Sequence, residues 1–197
     1  MGKVRGVIHV GAHEGEELPG YLLQGIRDII WIEANPRKLT YLTELTSNYN
    51  SMHVASFAAG SRSGDIVLNI SNNGQSSSVL QFGTHSIEHP DVTYVDHCTV
   101  KLARIDDWID QASIDRSTFN FLNIDIQGYE LEALKGSVKQ LHFVDYVYTE
   151  VNVNHLYQGC PLIDEVDLFW GLFGFTRIST AITQHGWGDA FYFKTSA

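Results

Sequence analysis

The stretch FNFLNIDIQGYELEALKG, residues 119–136, decides the fold of this chain. An apolar run ends at Asp125, and a sequence with helical spacing that contains Glu130 follows at once. This order predicts a buried strand that leads into a crossover helix, with the acidic side chain at the carboxyl end of the strand.

Two segments near the start of the chain follow the same order. VIHVGAHEG at residues 7–15 places Gly11 after a strand, and WIEANP at residues 31–36 places Glu33 after another. In open α/β sheets, ligands bind in the crevice beyond the carboxyl ends of the strands. We therefore expect Gly11, Glu33 and Asp125 to border one pocket.

The remaining pattern extends this alternation of strands and helices along the chain. Strands are predicted at 4–10, 27–33, 52–59, 119–125 and 143–151, and helices at 16–24, 36–48, 129–137 and 161–173. The final apolar segments, 174–180 and 189–194, predict a terminal antiparallel hairpin. The prediction is an α/β fold with a mostly parallel central sheet and helices on both faces.

Residues 60–103 interrupt the alternation. The polar cluster SNNGQSSSV at 71–79 is typical of a turn, and residues 84–103 alternate like an exposed antiparallel strand. A long irregular region in a compact domain is usually functional or inserted. We expect an insertion that shapes a binding site.

Composition excludes several classes of protein. With 197 residues and 44% hydrophobic residues, the chain (1–197) is expected to form a single domain with a real core. The chain has 13 Lys and Arg residues and 23 Asp and Glu residues, so its formal charge is −10. DNA or RNA, which are polyanions, would be repelled. No nucleic-acid partner is expected.

Cysteine usage and hydropathy point to a cytoplasmic protein. Cys98 and Cys160 stand apart without a CxxC motif, so neither a zinc site nor a disulfide framework is indicated. No apolar run approaches the roughly 18 residues that span a bilayer, and the N-terminus leads directly into a strand. We expect free thiols, no membrane partner and a cytoplasmic location.

The glycine turn and Glu33 suit a nucleotide-like ligand. Gly11 and Gly15 permit a tight turn and a close approach of the backbone to a ligand. The turn lacks the middle glycine of GxGxxG and the lysine of a P-loop, which disfavours a pyrophosphate cradle. Glu33 follows Gly11 by 22 residues, the offset at which an acidic residue accepts ribose hydroxyls. The alternatives are an ordinary tight turn and a solvated carboxylate.

Asp125 and Glu130 are the other acidic candidates. A carboxylate after a buried strand costs several kcal/mol unless it has a partner, so Asp125 is interpreted as functional or as structurally hydrogen-bonded. Glu130 lies near the predicted start of a helix. An acidic residue at this position can also serve only to stabilise the helix dipole.

These motifs together resemble the FkbM-type S-adenosylmethionine-dependent methyltransferases. The similarity covers nearly the whole chain, and NIDIQGYELEALKG is its most specific part. The other matching motifs are VGAHEG, IEANP, ASFAAGSRSG, SSSVL, YTEVN and WGDAFYF. The resemblance implies a Rossmann-like class I methyltransferase fold of about seven strands. Two residues depart from the family pattern: His9 replaces a frequent acidic residue, and Gln127 replaces a frequent glutamate.

The resemblance also implies a set of cofactor-binding residues. Gly11 and Gly15 would face S-adenosyl-L-methionine, Glu33 its ribose, residues 57–59 its adenine, and Asp125 its methionine end. The predicted cofactor-binding residues are His9, Gly11, His13, Gly15, Glu33, Ala34, Phe57, Ala58, Asp125 and Gln127.

The resemblance implies O-methylation, commonly of a sugar or polyketide hydroxyl. Because a sugar hydroxyl is scarcely ionised at neutral pH, a general base is expected near the acceptor. His155 is the first choice, with an ordinary loop histidine as the alternative. The further candidates are Asp125, Glu150, His185 and Asp189. Asp125, Glu150 and Asp189 could alternatively hold a divalent metal ion, but no dense ligand motif favours one.

The acceptor site is predicted from short polar and aromatic residues beyond the strand ends. The predicted substrate-binding residues are Ser77, Ser78, Asn152, Tyr157, Trp187 and Asp189, with Asn72, Gln75 and Ser76 as further polar groups. The serine run can equally be a solvated loop, and Trp170 is expected in the core.

The functional prediction is an S-adenosylmethionine-dependent O-methyltransferase acting on a sugar or glycan hydroxyl, such as a deoxyhexose of a glycoside. Alternatives are methylation of another small metabolite or peptide, and a non-catalytic module that binds the nucleotide. We also expect the chain to be a domain of a longer protein with sugar-transfer domains, because the helix that often precedes this sheet in similar enzymes is missing.

Overall fold

A seven-stranded sheet organises the computed structural model, which describes residues 2–195. Within that range the strands are β1 (Gly6–Val10), β2 (Asp28–Glu33), β3 (Met52–Ser56), β4 (Ala58–Ala59), β5 (Gly64–Ser71), β6 (Tyr94–Ala103), β7 (Phe121–Ile124), β8 (Tyr146–Asn152), β9 (Phe175–Ile182) and β10 (Trp187–Lys194). The helices are α1 (Leu18–Leu23), α2 (Pro36–Thr46), α3 (His85–Glu88), α4 (Ile105–Gln111), α5 (Glu130–Lys135), α6 (Val138–Leu141) and α7 (Ile163–Gly171).

The central sheet has the strand order β3-β2-β1-β7-β8-β10-β9. Its first five strands are parallel, and β10 and β9 are antiparallel to their neighbours. The order reverses between β1 and β7, which is where an open α/β sheet opens a crevice for a ligand. The predicted α/β class, the mostly parallel sheet and the terminal hairpin are confirmed.

The strands at the centre of the sheet are buried because helices cover both faces. All five residues of β1 are buried. Ile8 packs on one face in the larger core, whereas Val7 packs on the other face with Trp31. Each such apolar side chain stabilises the fold by roughly 1.5–3 kcal/mol. The apolar runs of these strands are therefore explained by a sheet with two covered faces.

Local signals set the start of α2. The Asn35 side chain accepts a hydrogen bond from the backbone N–H of Arg37 at 3.0 Å, and Pro36 occupies the first helical position. An asparagine cap followed by proline is a strong helix start. The predicted opening of this helix at Asn35-Pro36 agrees with the structure.

Residues 58–103 form a second, three-stranded sheet of order β4-β6-β5. The single strand predicted at 52–59 is wrong, because the chain leaves the central sheet at Phe57, whose ring packs near Trp108 in the main core. The predicted antiparallel pairing is present between β5 and β6. The short helix α3, which the alternating pattern did not predict, precedes β6.

The state of the cysteines and the lengths of the helices can be read directly from the structure. Cys98 and Cys160 are both free thiols. No helix within residues 2–195 combines the length and the apolar composition needed to cross a membrane.

Candidate active site

Two adjoining cavities lie beyond the carboxyl ends of β1, β2, β7 and β8. The larger has a volume of about 700 Å³, and the smaller of about 80 Å³. They share the wall residues Gly11, His13, Gln75, Asp125 and Gln127. The three strand-end segments identified from the sequence therefore meet at one composite site.

Gly11 brings the turn after β1 against the turn after β7. Its φ is +87°, and a Cβ at this position would lie 1.8 Å from the backbone oxygen of Asp125. Only glycine has both the conformational freedom and the space for this contact. Gly11 was predicted to let the backbone approach a ligand closely. In the structure it also lets the two turns pack against each other, which positions Asp125.

Glu33 closes the smaller cavity with a carboxylate held by backbone amides. The N–H groups of His13 and Asn35 donate to its two oxygens at 2.7 and 2.6 Å. Burial raises the pKa of Glu33, and these two hydrogen bonds oppose that rise. Because a carboxylate can accept about four hydrogen bonds, these two leave acceptor capacity on each oxygen.

Small and apolar groups form the rest of the smaller cavity. Its walls include Ala34, Ala58, Ala59, Val79 and Tyr129. Ser77 and Ser78 also line this cavity and not the larger one, so they lie on the side of Glu33. These two serines, predicted to bind the substrate, are therefore placed in the same cavity as Glu33.

A carboxyl pair bridged by an amide occupies the junction with the larger cavity. The Nε2 of Gln127 donates to Asp125 at 2.6 Å and to Glu150 at 2.9 Å. The Tyr157 hydroxyl donates to the Oε1 of Gln127 at 2.5 Å and fixes the orientation of the amide. Gln127 adopts a left-handed backbone conformation, with φ of +58°. The amide of Gln127 therefore donates to both carboxyl groups. A glutamate at this position would place a third negative charge beside them.

Glu150 is the most deeply buried acid in the larger cavity, with 3% of its surface exposed. Burial, followed by the negative charges of Asp125 and Glu130, raises the pKa of Glu150 well above its usual range. A carboxyl group of raised pKa in a cleft is what a general acid or base at neutral pH requires.

Glu130 has a structural position. Its Oε1 accepts hydrogen bonds from the backbone N–H groups of Ile126 at 2.9 Å and Gly128 at 3.1 Å. Burial raises its pKa to about 7. The side chain folds back on the turn that carries Asp125, so it supports the site from beneath and lines neither cavity.

His9 lines the larger cavity as a neutral group. Its ring stacks on Trp31 with centroids 5.2 Å apart, and burial lowers its pKa to about 4. Asn123 donates to the Tyr21 hydroxyl at 2.7 Å, which leaves that hydroxyl to donate to Nδ1 of His9 at 3.0 Å. His9 is therefore a buried, neutral hydrogen-bond acceptor in the wall of the larger cavity.

The outer part of the larger cavity is formed by the terminal hairpin and the insertion. Trp187 and Asp189 of β10 line it as expected from the sequence, and Asp189 is the cross-strand partner of Glu150. Burial raises the pKa of Asp189, and a hydrogen bond from Tyr148 opposes that rise. The insertion adds the residues Asn73, Gln75, Ser76, His85, His89 and Val92.

Several lining residues were missed by sequence reasoning. They are Glu16, Glu17, Tyr148, His85 and His89. The spacing of four between the two histidines was a usable signal, because it brings their rings to one side of a helical turn, 5.0 Å apart. Glu16 and Glu17 gave no signal, since acidic residues before a helix are common.

His155 does not face either cavity. Its side chain is exposed, and its Nδ1 lies 3.0 Å from the backbone oxygen of Cys160. The hydrogen bond turns the ring toward its own loop. Position after a strand end was therefore not enough to predict the direction of this side chain.

Other predicted residues support the site without lining a cavity. A Cβ on Gly15 would lie 2.7 Å from Leu45, so this glycine permits close packing of α2, and Phe57 belongs to the main core. Asn152 donates to Glu150 at 3.2 Å. Of the remaining candidates, His185 pairs with Glu88 at 2.8 Å, and Trp170 is buried in the core as expected.

The geometry does not assemble the metal-binding alternative. Within the described chain, the acidic and histidine side chains whose ligand atoms all lie within 4.8 Å of one another are His13, Glu14 and Glu16. Asp125, Glu150 and Asp189 do not form such a group. His13 and Glu16 already bond each other at 2.6 Å.

Known proteins share both the sequence pattern and the fold. The family model described as "Methyltransferase FkbM domain" matches residues 9–176. A curated relative, the 2-O-methyltransferase NoeI of Sinorhizobium fredii (strain NBRC 101917 / NGR234), is 25% identical over 171 residues, covering 82% of this chain and 70% of the relative.

Two solved structures illustrate the likeness of the fold. The fibrillarin/Nop5p complex matches with a TM-score of 0.56 at 12% identity, over 98% of this chain and 74% of that chain. The Sp1610 protein of Streptococcus pneumoniae, in complex with S-adenosyl-L-methionine, matches with a TM-score of 0.53 at 10% identity, over 98% and 67%. With the central sheet, the strand-end site and the match over residues 9–176 together, the chain belongs to the FkbM methyltransferase family.

Proposed function

We propose that this methyltransferase moves a methyl group from S-adenosyl-L-methionine to a hydroxyl of a sugar within a glycan or glycoside. The observation that carries the proposal is the pair of cavities joined at Gly11, Asp125 and Gln127. One cavity offers a buried carboxylate suited to a ribose, and the other offers the buried Glu150 and the exposed Asp125 beside open space for an acceptor.

The residues present fit the cofactor. Glu33 keeps a free acceptor position on each oxygen, which suits the two hydroxyls of a ribose. Ala34, Ala58 and the edge of Tyr129 provide apolar walls for an adenine. At the junction, Asp125 supplies the negative charge that a sulfonium group requires.

The acceptor class is proposed from the chemistry of the larger cavity and from the relative. Gln75 and Ser76 offer uncharged hydrogen-bonding groups, and Trp187 offers an aromatic wall, a combination that suits the polar edge and the apolar face of a sugar ring. The name of the curated relative records 2-O-methylation. We therefore propose oxygen as the methylated atom.

The residues of this chain would position the acceptor and remove its proton. When bound, S-adenosyl-L-methionine supplies an electrophilic methyl carbon on a positively charged sulfur. The acceptor is held by Gln75, Ser76 and Trp187 so that its oxygen points at the methyl group to be transferred. Such positioning contributes a large part of the rate enhancement. The Glu150 carboxylate accepts the hydroxyl proton as the oxygen attacks, and Gln127 holds that carboxylate beside Asp125.

A calorimetric titration and an acceptor screen test this function. S-adenosylhomocysteine is expected to bind, whereas NAD and ATP run in parallel are expected not to. Sugar glycosides incubated with radiolabelled S-adenosyl-L-methionine are then expected to gain label on oxygen. Binding without methylation of any hydroxyl acceptor would support a non-catalytic nucleotide-binding module instead, and label on nitrogen or on a peptide would refute the acceptor class.

A further inference from the structure

The larger cavity carries an unbalanced negative charge. Five carboxyl groups line it, and within residues 2–195 no lysine or arginine does. The five are Glu16, Glu17, Asp125, Glu150 and Asp189. Even with a proton on Glu150, four acidic groups remain around a single space of about 700 Å³.

The two basic side chains of α2 are already paired. Lys38 bonds Glu14 at 2.5 Å, and Arg37 contacts Asp96. Neither cation lines the larger cavity, so neither is placed to bind an anion there.

Of the four histidines in the wall, two are neutral and a third is already paired. Burial lowers the pKa of both His9 and His85 to about 4, which leaves them neutral at neutral pH. His13 lies 2.6 Å from Glu16 and is committed to that carboxylate. His89 lies beside His85, with ring centroids 5.0 Å apart.

The acidic groups act on one another across the cavity. Burial is the main cause that raises the pKa of Glu17, Glu150 and Asp189, and the charge of Asp125 adds to it in all three cases. The cofactor brings a sulfonium, an ammonium and a carboxylate, a net charge of only one. The acceptor end, formed by Glu150 and Asp189, therefore keeps its negative potential when the cofactor is bound.

Building on the proposed function, we propose that this site accepts uncharged glycosides and rejects the same sugars when they carry a phosphate or a nucleoside diphosphate. An anomeric phosphate belongs to the same sugar residue as the acceptor hydroxyl, so it would enter the cavity that contains Asp189 and Glu150. Within residues 2–195 no lysine or arginine lines that cavity to pair with it. Glycosyl transfer from an activated donor must then come before methylation, because that reaction removes the anionic leaving group.

Matched acceptors test the proposal on the intact chain. The probes are the methyl glycosides of L-fucose, L-rhamnose, D-glucose and D-mannose, each compared with its 1-phosphate and its nucleoside-diphosphate form. For every sugar that is methylated, kcat/KM is expected to be at least about tenfold higher for the methyl glycoside. Equal or faster methylation of a nucleotide sugar would overturn the proposal and leave the proposed O-methylation intact.

Salt and a charge-removing variant separate electrostatic from steric exclusion. The preference for the glycoside should shrink as salt is raised from about 20 mM to about 500 mM, because screening shortens the reach of the carboxylates. Asp189→Asn should also reduce it, whereas Asp65→Asn, on the exposed face of β5 beside Lys101, should not. A preference insensitive to both changes would refute a charge-based mechanism.

A binding measurement decides the question where no probe is methylated. Saturation-transfer NMR on the S-adenosylhomocysteine complex is expected to detect methyl glycosides and not nucleotide sugars. Contact with the nucleotide sugars, or with neither set, would overturn the proposal. Failure of S-adenosylhomocysteine itself to bind would instead remove the proposed function, and the calorimetric titration reports that separately.

Discussion

The smaller cavity is organised by backbone groups, whereas the larger cavity depends on contacts between side chains of separate segments. Glu33 is held by two backbone N–H groups, and Gly11 seats the neighbouring turn through its lack of a side chain. Glu150 depends instead on the side chains of Gln127 and Asn152. The proposed cofactor side is thus fixed mainly by backbone groups, and the proposed acceptor side by contacts between side chains.

This difference has a functional consequence. A site made from strand ends and backbone amides tolerates few changes, because each replacement also disturbs the fold. A site made from an insertion and a hairpin can exchange side chains while the sheet stays intact. We therefore expect variants at the cofactor side to affect stability and binding together, and variants at the acceptor side to affect turnover alone.

The largest expected effect is at Gly11. Gly11→Ala should destabilise the protein by more than about 4 kcal/mol, since a Cβ would collide with the backbone of Asp125. Gly25→Ala is a matched control, because Gly25 also has a positive φ, of +76°, and has no atom within 4 Å of the added Cβ. It should cost only about 1–2 kcal/mol. Urea unfolding measures both, and equal losses would contradict the close-approach role.

Glu150→Gln should have the next largest effect, on turnover. Loss of a general base lowers kcat by about 10²–10⁴-fold. Since the pKa of Glu150 is raised, wild-type activity should increase with pH as this group loses its proton, and the variant should lack that increase. Calorimetry should show unchanged binding of S-adenosylhomocysteine. A variant with normal kcat and the same pH profile would remove the proposed base.

Glu33→Ala should weaken binding of S-adenosylhomocysteine by about 10- to 100-fold, the worth of one or two hydrogen bonds to a charged group. It should also lower the thermal midpoint, because the N–H groups of His13 and Asn35 lose their acceptor. Asp189→Asn serves as the contrast from the acceptor side and should leave that affinity unchanged. Equal loss in both variants would show that the two sides are not separate.

The smallest expected effect is at His155. Because its ring bonds the backbone oxygen of Cys160 and lines neither cavity, His155→Ala should leave kcat/KM unchanged. Stability should fall by about 0.5–1.5 kcal/mol through the lost hydrogen bond. Steady-state kinetics beside thermal unfolding check both parts. A loss of activity near that of Glu150→Gln would return His155 to the list of candidate bases.

Sequence patterns predicted the central sheet well because its strands are buried on both faces. The apolar runs around Val7, Ile29 and Leu122 leave little choice but a covered sheet. The same patterns failed at Phe57, where the single strand predicted at 52–59 is divided between two sheets. Which sheet a strand joins depends on pairing with residues far along the chain, and periodicity does not report that pairing.

The sequence by itself determined the α/β class, the family and the strand-end positions of Gly11, Glu33 and Asp125, since these follow from local hydrophobic patterning and short motifs. Only the tertiary structure decided which side chains line the larger cavity, the proposed acceptor site. Glu150 meets Gln127 from 23 positions away, and His155 turns back to its own loop. The direction of a side chain beyond a strand end is set by its hydrogen-bond partners, and those partners are brought together only when the chain folds.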